Sequence, residues 1–383
     1  MKITILTPNF SSNCLGRAYI LAKMLSCRWQ VEIVGPMFGE SIWSPVADEK
    51  DIEFKPCKLK SHDHYLFNLR KIMKKIDGDV IYVSKPLMTS FLPGLLCKFF
   101  KKKPLILDID DWDLGFVKES YKKLSGFCRF KHFVHSFLDY ACYWNILFME
   151  KLVNLADVKT VSNSFLKEKF SGRLIYHARD AQIFDPQRYD AKALKVRYGL
   201  SSKKIVSFIG TARKHKGLDT LIEAVSLIED QDLVLMFVGL EGRENPYGLM
   251  AKEKLGLSRV MIFGKQLFSK IREYLAISDV IVVPQEDNFS TKGQFPAKIF
   301  DAMAMAKPVV STDVNDIPKV LDGCGLIVPS KDAEKMAEAI KSLIDNEKYS
   351  ADMGKRARER FLAKYSYEKV GKALFEVFSK YEK

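Results

Sequence analysis

Eleven short apolar runs, rich in β-branched residues and separated by helix-length segments, govern what this 383-residue chain can fold into. Five fall at residues 3–6, 31–34, 80–83, 105–107 and 158–161, and the rhythm then restarts at 205–209, 233–238, 260–263, 280–283, 309–311 and 325–328. Buried strands read as continuous apolar runs, and their alternation with helices predicts parallel βα units. The restart predicts an α/β protein of two facing, doubly wound, Rossmann-like domains.

The chain length suits two domains of about 180–200 residues each. Between the two series lies HARDAQIFDPQRYD, residues 177–190, polar and turn-prone with Pro186 near its end. It places the boundary near Asp185, with one domain over 1–185 and a second over 186–364. Beyond Asp332 the pattern is helical to the end, and the final segment, 365–383, sets Val370, Leu374, Val377 and Phe378 on one stripe able to pack on either domain.

Composition narrows the class. With 47% apolar and 28% charged residues the chain has enough to bury and too little bias for disorder. Its net charge of +14 leans forward: residues 1–180 hold 28 Lys and Arg against 19 Asp and Glu, a net of +9. Such a surface attracts phosphate, whether of a nucleotide, an anionic bilayer or nucleic acid. The seven cysteines show no CxxC pair or zinc spacing, which predicts reduced thiols and a cytoplasmic address. The opening MKITILTPNF reads as a strand rather than a signal segment. No apolar run reaches the roughly 18 residues of a spanning helix, which leaves peripheral contact with the inner membrane face as the one membrane option.

In doubly wound sheets ligands bind beyond the carboxyl ends of strands, so the cleft between domains is the expected site. The loop after the first strand, PNFSSNCLGRAYILAKML, opens a helix beside Gly16, which either admits a phosphate closely or serves the turn. In FIGTARKHKGLDTLIEA a strand ends at Gly210 and Arg213, Lys214 and Lys216 crowd the turn before a helix. Cations at a helix N-terminus oppose its dipole unless an anion is bound, so this turn suits a diphosphate leaving group better than plain solvation. In QEDNFSTKGQFPAKIFDAMAMAKPVVSTD a helix is expected from Pro296, with Lys298 and Asp301 three apart on one face. That spacing serves either a ribose held by Asp301 and a phosphate held by Lys298, or an intrahelical ion pair.

FIGTARKHKGLDTLIEA and FPAKIFDAMAMAKPVV together resemble the retaining GT-B glycosyltransferases of the glycogen-synthase and sucrose-synthase type, and IFDP and the last segment extend the likeness over nearly the whole chain. The resemblance implies transfer of a sugar from a nucleotide diphosphate-sugar with retention of configuration, no metal or cofactor, and a last helix that crosses back to the first domain. It places Lys216 at the family lysine, with Arg213 standing in for an arginine whose position holds Thr211. Of the family's two acids separated by seven residues, Asp301 matches the second and Gly293 occupies the first. Glu286 or Asp287 either substitutes for the missing acid or is a solvated loop residue.

LILDIDDWDLG sets Asp108, Asp110, Asp111 and Asp113 directly after a strand. Clustered carboxylates need hydroxyls, amides or cations, so acceptor binding, a metal or capping are the open readings. The resemblance carries an acceptor-side catalytic role loosely to Asp110 and Asp111. Residues 120–152 interleave aromatic and basic residues, including Phe127, Phe130, Phe133, Phe137, Tyr140 and Trp144, as either a membrane-surface element near a lipid-linked acceptor or buried helices with snorkelling lysines. His132 and His135 lack an HExxH pattern and read as structural. The rival functions are a nucleotide-sugar epimerase or phosphorylase on the same fold and, from another class, a nucleic-acid binder, for which no recognised module is present.

Overall fold

The computed structural model describes residues 1–60, 65–135, 142–242 and 245–382. The side chains of His132 and His135, together with Phe137 and Tyr140, lie outside what is described. Two compact units result, the first of Met1–His177, Lys292–Phe295 and Val370–Lys383, the second of Ala178–Thr291 and Pro296–Lys369. The first division falls at the head of the polar 177–190 stretch.

The first unit runs β1 (Lys2–Leu6), α1 (Cys14–Leu25), β2 (Gln30–Met37), β3 (Glu53–Lys58), α2 (Tyr65–Lys75), β4 (Val80–Ser84) and α3 (Met88–Lys101). It continues with β5 (Leu105–Ile109), α4 (Asp113–Lys122), α5 (Gly126–His135), α6 (Tyr143–Lys151), β6 (Val158–Val161), α7 (Ser164–Phe170) and β7 (Arg173–Leu174). All strands pair in parallel in the order β3-β2-β1-β4-β5-β6-β7, with Ile3 opposite Val80 and Leu6 opposite Val83. Strands β1, β4 and β5 are apolar because both their faces are covered; Ile3, Ile5, Ile81, Val83 and Ile106 have no exposed surface.

The second unit begins α8 (Ala191–Arg197), β8 (Lys204–Ile209), α9 (Leu218–Ser226), β9 (Leu233–Val238), α10 (Pro246–Leu255), β10 (Val260–Phe263), α11 (Phe268–Ile277) and β11 (Val280–Val283). It goes on through α12 (Lys298–Ala304), β12 (Val309–Thr312), α13 (Ile317–Leu321), β13 (Leu326–Val328), α14 (Ala333–Ile344), α15 (Glu347–Lys364) and the start of α16 (Tyr367–Phe378). Its sheet is parallel throughout, in the order β10-β9-β8-β11-β12-β13. Asp332 caps α14, its side chain accepting from the Lys335 amide.

From Val370 onward α16 belongs to the first unit, where its stripe of Val370, Leu374, Val377 and Phe378 is buried. Phe378 lies 5.2 Å from the Tyr82 ring and 5.8 Å from Trp29, and Glu382 accepts from the Trp29 indole at 2.6 Å. The last segment is therefore part of that unit's core.

The strand orders fix where a ligand can enter. In each sheet the connections wind outward in opposite directions from a central pair, β1 with β4 and β8 with β11, leaving a crevice beyond their carboxyl ends. The segments after those strands, and after β5 beside them, carry the candidate residues.

Candidate functional site

In the second unit the loop after β8 is shaped by two glycines. Gly210 has φ of +136° and donates its amide to Val238 at 2.7 Å. Gly217, with φ of +66°, ends the 3₁₀ turn Lys214–Lys216, and a Cβ there would lie 1.8 Å from the Pro284 carbonyl oxygen. No side chain fits, so the loops after β8 and β11 lie against each other. The Glu286 amide donates to the His215 carbonyl at 3.1 Å and Lys216 Nζ to Gln285 Oε1 at 3.3 Å, which fixes the pair. Arg213 and Lys214 are exposed, while Lys216 is half-buried.

Helix α12 starts at Lys298, two residues later than the sequence predicts, with buried Pro296 ahead of it. The intrahelical Lys298–Asp301 pair does not form. Asp301 is taken by Arg179, whose Nε donates to its Oδ1 and whose Nη1 donates to the Ala178 carbonyl at 2.8 Å. Lys298 Nζ is buried, has no hydrogen-bond partner among the described residues and lies 3.6 Å from the centroid of the Phe208 ring. A Cβ on Gly210 would stand 2.8 Å from that nitrogen. Burial first, then the Lys216 charge, hold the Lys298 ammonium well below its ordinary range, against a weaker pull from Asp301. The arrangement is an unsatisfied buried cation facing bare backbone, with a second cation close by.

Gly293 explains why the first family acid is missing. Its segment belongs to the first unit, where its carbonyl accepts from the Trp112 amide and from Asn163 Nδ2, each at 3.2 Å. A Cβ there would lie 2.3 Å from the Trp112 Cβ, so no carboxylate can be built at this position. Of the proposed substitutes, Glu286 pairs with Lys331 at 3.4 Å and Asp287 is exposed.

The first unit resolves the aspartate cluster into two parts. Asp108 is structural: it takes a two-pronged pair from buried Arg17 at 2.9 and 3.0 Å and a hydrogen bond from Thr160 at 2.6 Å. Asp110, Asp111 and Asp113 surround Lys85, a buried residue following β4, at 3.3, 2.6 and 3.3 Å. Burial opposes the Lys85 charge, but the three carboxylates outweigh it and hold the ammonium well above its usual range. Burial pushes Asp110 up to about 7 and Asp113 up to about 6, with Lys85 pulling each down. Gln294 donates to Asp111 Oδ1 at 3.2 Å. Among the described residues no group of His, Cys, Asp and Glu is arranged to hold a metal ion.

Gly16 sits inside α1 rather than on the loop before it, and a Cβ there would come 3.0 Å from the Trp43 ring, so Trp43 is what approaches it. Lys85, Arg179 and Trp112 were not signalled by any motif. A lone Lys after a strand is unremarkable in sequence, and Arg179 acquires meaning only once Asp301 lies beside it.

Residues 191–360 match the family model described as Glycosyl transferases group 1. N-acetyl-alpha-D-glucosaminyl L-malate synthase of Bacillus anthracis is 30% identical over 231 residues, 57% of this chain and 58% of that protein. Alpha-D-kanosaminyltransferase of Streptomyces kanamyceticus is 30% identical over 54% of this chain and 53% of its own length. A Campylobacter jejuni relative named N,N'-diacetylbacillosaminyl-diphospho-undecaprenol alpha-1,3-N-acetylgalactosaminyltransferase is 28% identical over 42% of this chain and 40% of its own. The chain thus matches between 40% and 58% of the length of these curated relatives. Among solved structures, Anabaena Alr3699/HepE in complex with UDP and glucose superposes with a TM-score of 0.77 at 17% identity, covering 99% of both chains. Sucrose-phosphate synthase from Thermosynechococcus elongatus gives 0.73 at 18%, covering 99% of this chain and 98% of that one. At such identities these establish the fold, which is GT-B.

Proposed function

We propose that this protein transfers a glycosyl group from a nucleotide diphosphate-sugar to an acceptor hydroxyl, with retention of configuration. The observation that carries the reading is the buried Lys298 amine, without a hydrogen bond among the described residues, facing Gly210. A buried unpaired cation is costly, and a diphosphate relieves that cost where the backbone bears no side chain. Arg179 orients Asp301, which accepts the ribose hydroxyls. As the bond from the sugar's anomeric carbon to the diphosphate breaks, its electron pair passes to the leaving oxygen, whose charge Lys216 and Lys298 stabilise without a metal or other cofactor. The acceptor oxygen bonds to the anomeric carbon from the same face and gives its proton to the departing phosphate. Asp110 and Asp111, held by Lys85, bind acceptor hydroxyls. Arg213 reaches the diphosphate from solvent.

The setting proposed is glycan or glycolipid synthesis with a lipid-linked acceptor at an anionic membrane surface. The net charge of the first 180 residues and the name of the Campylobacter jejuni relative support it. Because HepE was solved with UDP-glucose, uridine diphosphate sugars are the first donors to test. The assay is release of nucleoside diphosphate from a panel of nucleotide sugars, with Lys298→Ala as the control. One donor should be consumed by the wild type and not by the variant; neither binding nor turnover across the panel would sink the reading.

A further inference from the structure

Helix α5 carries apolar residues that stand exposed among the described residues. Phe127 is 69% exposed, Phe130 65%, Val134 53% and Phe133 44%, the last touching Trp144 edge-on at 5.3 Å. At 100° per residue Phe127, Phe130 and Val134, spaced i, i+3 and i+7, form one stripe with Phe133 at its margin. Arg129 falls beside Phe133 on one border of the stripe and Lys131 beside Phe127 on the other, and both are exposed. Lys131 Nζ lies 4.7 Å from the centre of the Phe127 ring, and Arg129 Nη2 donates to the Lys122 carbonyl at 2.6 Å. Lys122 and Lys123, also exposed, extend the positive border at the end of α4.

The neighbouring aromatics behave differently. Tyr121 stacks on Tyr143 with centroids 4.0 Å apart, and Trp144 meets both edge-on. Those rings pack on one another and Phe133 meets Trp144, while Phe127 and Phe130 face outward. The segment that the sequence left open between buried and surface-seeking is thus divided between the two.

We propose that α5 is the element that docks this protein on an anionic lipid bilayer, its phenylalanine stripe entering the acyl boundary and Arg129, Lys131, Lys122 and Lys123 pairing with lipid phosphates. The charge pattern selects this occupant. A protein partner's apolar groove would not need cations along both borders of the stripe, whereas a helix lying flat in the headgroup layer does. The inference rests on the membrane setting proposed above and names the surface responsible.

The test is co-sedimentation of the full chain with vesicles of phosphatidylcholine alone or with added phosphatidylglycerol, at low and moderate salt. Variants are Phe127→Ser/Phe130→Ser and Arg129→Gln/Lys131→Gln; all four side chains are exposed, so melting temperatures should match wild type. Binding is expected only with phosphatidylglycerol, weakening with salt. Each cation removed should weaken it about fivefold, equivalent to about 1 kcal/mol. The phenylalanine variant should lose binding at least tenfold at both salt concentrations. Wild-type protein that stays in the supernatant with anionic vesicles at low salt overturns the proposal. So does binding that the phenylalanine variant retains, or an α5-dependent dimer without lipid, which would assign the stripe to a second copy. Nucleoside diphosphate binding, measured on the same preparations, separates these failures from failure of the transferase reading: its loss in wild type would strike that reading and leave the vesicle result standing.

Discussion

Lys298 Nζ rests 3.6 Å from the centroid of the Phe208 ring and has no hydrogen-bonding partner among the described residues. The ring face offers partial compensation to a cation, worth about 2 kcal/mol when desolvated, less than full burial of a charge costs. Replacing Lys298 with Met should leave the melting temperature in the absence of nucleotide unchanged or raise it, because an isosteric apolar chain removes the uncompensated charge. Calorimetric unfolding measures this, and a marked drop would show that Lys298 is satisfied in the empty protein.

The contact between Gly293 and Trp112 leads to a test of the departure from the family pattern. Gly293→Ala should destabilise by about 1–3 kcal/mol, as overpacking against backbone does. Gly293→Glu, although it restores the family acid, should be at least as destabilised and gain no turnover. Denaturant unfolding of both variants decides; a stable and more active glutamate variant would mean that the segment moves away from Trp112 freely.

The cluster around Lys85 makes stability depend on pH. Asp110 titrates at about 7 in the folded protein against an ordinary value of 3.8, so the folded state binds the proton more tightly. That contribution is complete below about pH 4 and is lost as pH rises through about 7, with a limiting slope of about 1.4 kcal/mol per pH unit for one group. Asp110→Asn should flatten the fall in melting temperature between pH 5 and 8. An unchanged slope would place the titration elsewhere, with Asp113, pushed up to about 6, as the next group to replace.

Asp301 and Arg179 give a prediction that separates ribose from phosphate. Asp301→Ala should weaken binding of a nucleoside diphosphate tenfold or more, about 1.4 kcal/mol, and leave pyrophosphate little changed. Arg179→Lys keeps the charge but loses the planar guanidinium that holds the carboxylate, and should produce a smaller loss of the same kind. Equal losses for both ligands in titration calorimetry would reduce the pair to a structural role.

The two sheets were legible because buried parallel strands leave short continuous apolar runs rich in β-branched residues, at spacings that leave room for helices between them. Strand β3 escaped because, at a sheet edge, it carries Lys55 and Pro56, which an edge tolerates and a central strand does not. Lys216, Lys298 and Asp301 stand out in the sequence, but their contacts do not. Helical spacing puts Lys298 and Asp301 on one face, whereas the partner that Asp301 takes lies 122 positions away in sequence. Lys85 was invisible for a similar reason: one lysine after a strand gains its significance from three carboxylates that follow a different strand. Helix α5 was legible in composition, and only its exposure separates a docking surface from a buried helix.

On the proposed reading Lys298, beside Gly210 and Lys216, waits for a diphosphate. The decisive experiment is titration calorimetry of a nucleoside and its diphosphate, with uridine and UDP first, into wild-type protein and Lys298→Met. The diphosphate should bind at least tenfold more tightly than the nucleoside to the wild type, and Lys298→Met should remove most of that difference while the fold persists. A diphosphate affinity that is the same in wild type and variant would contradict it.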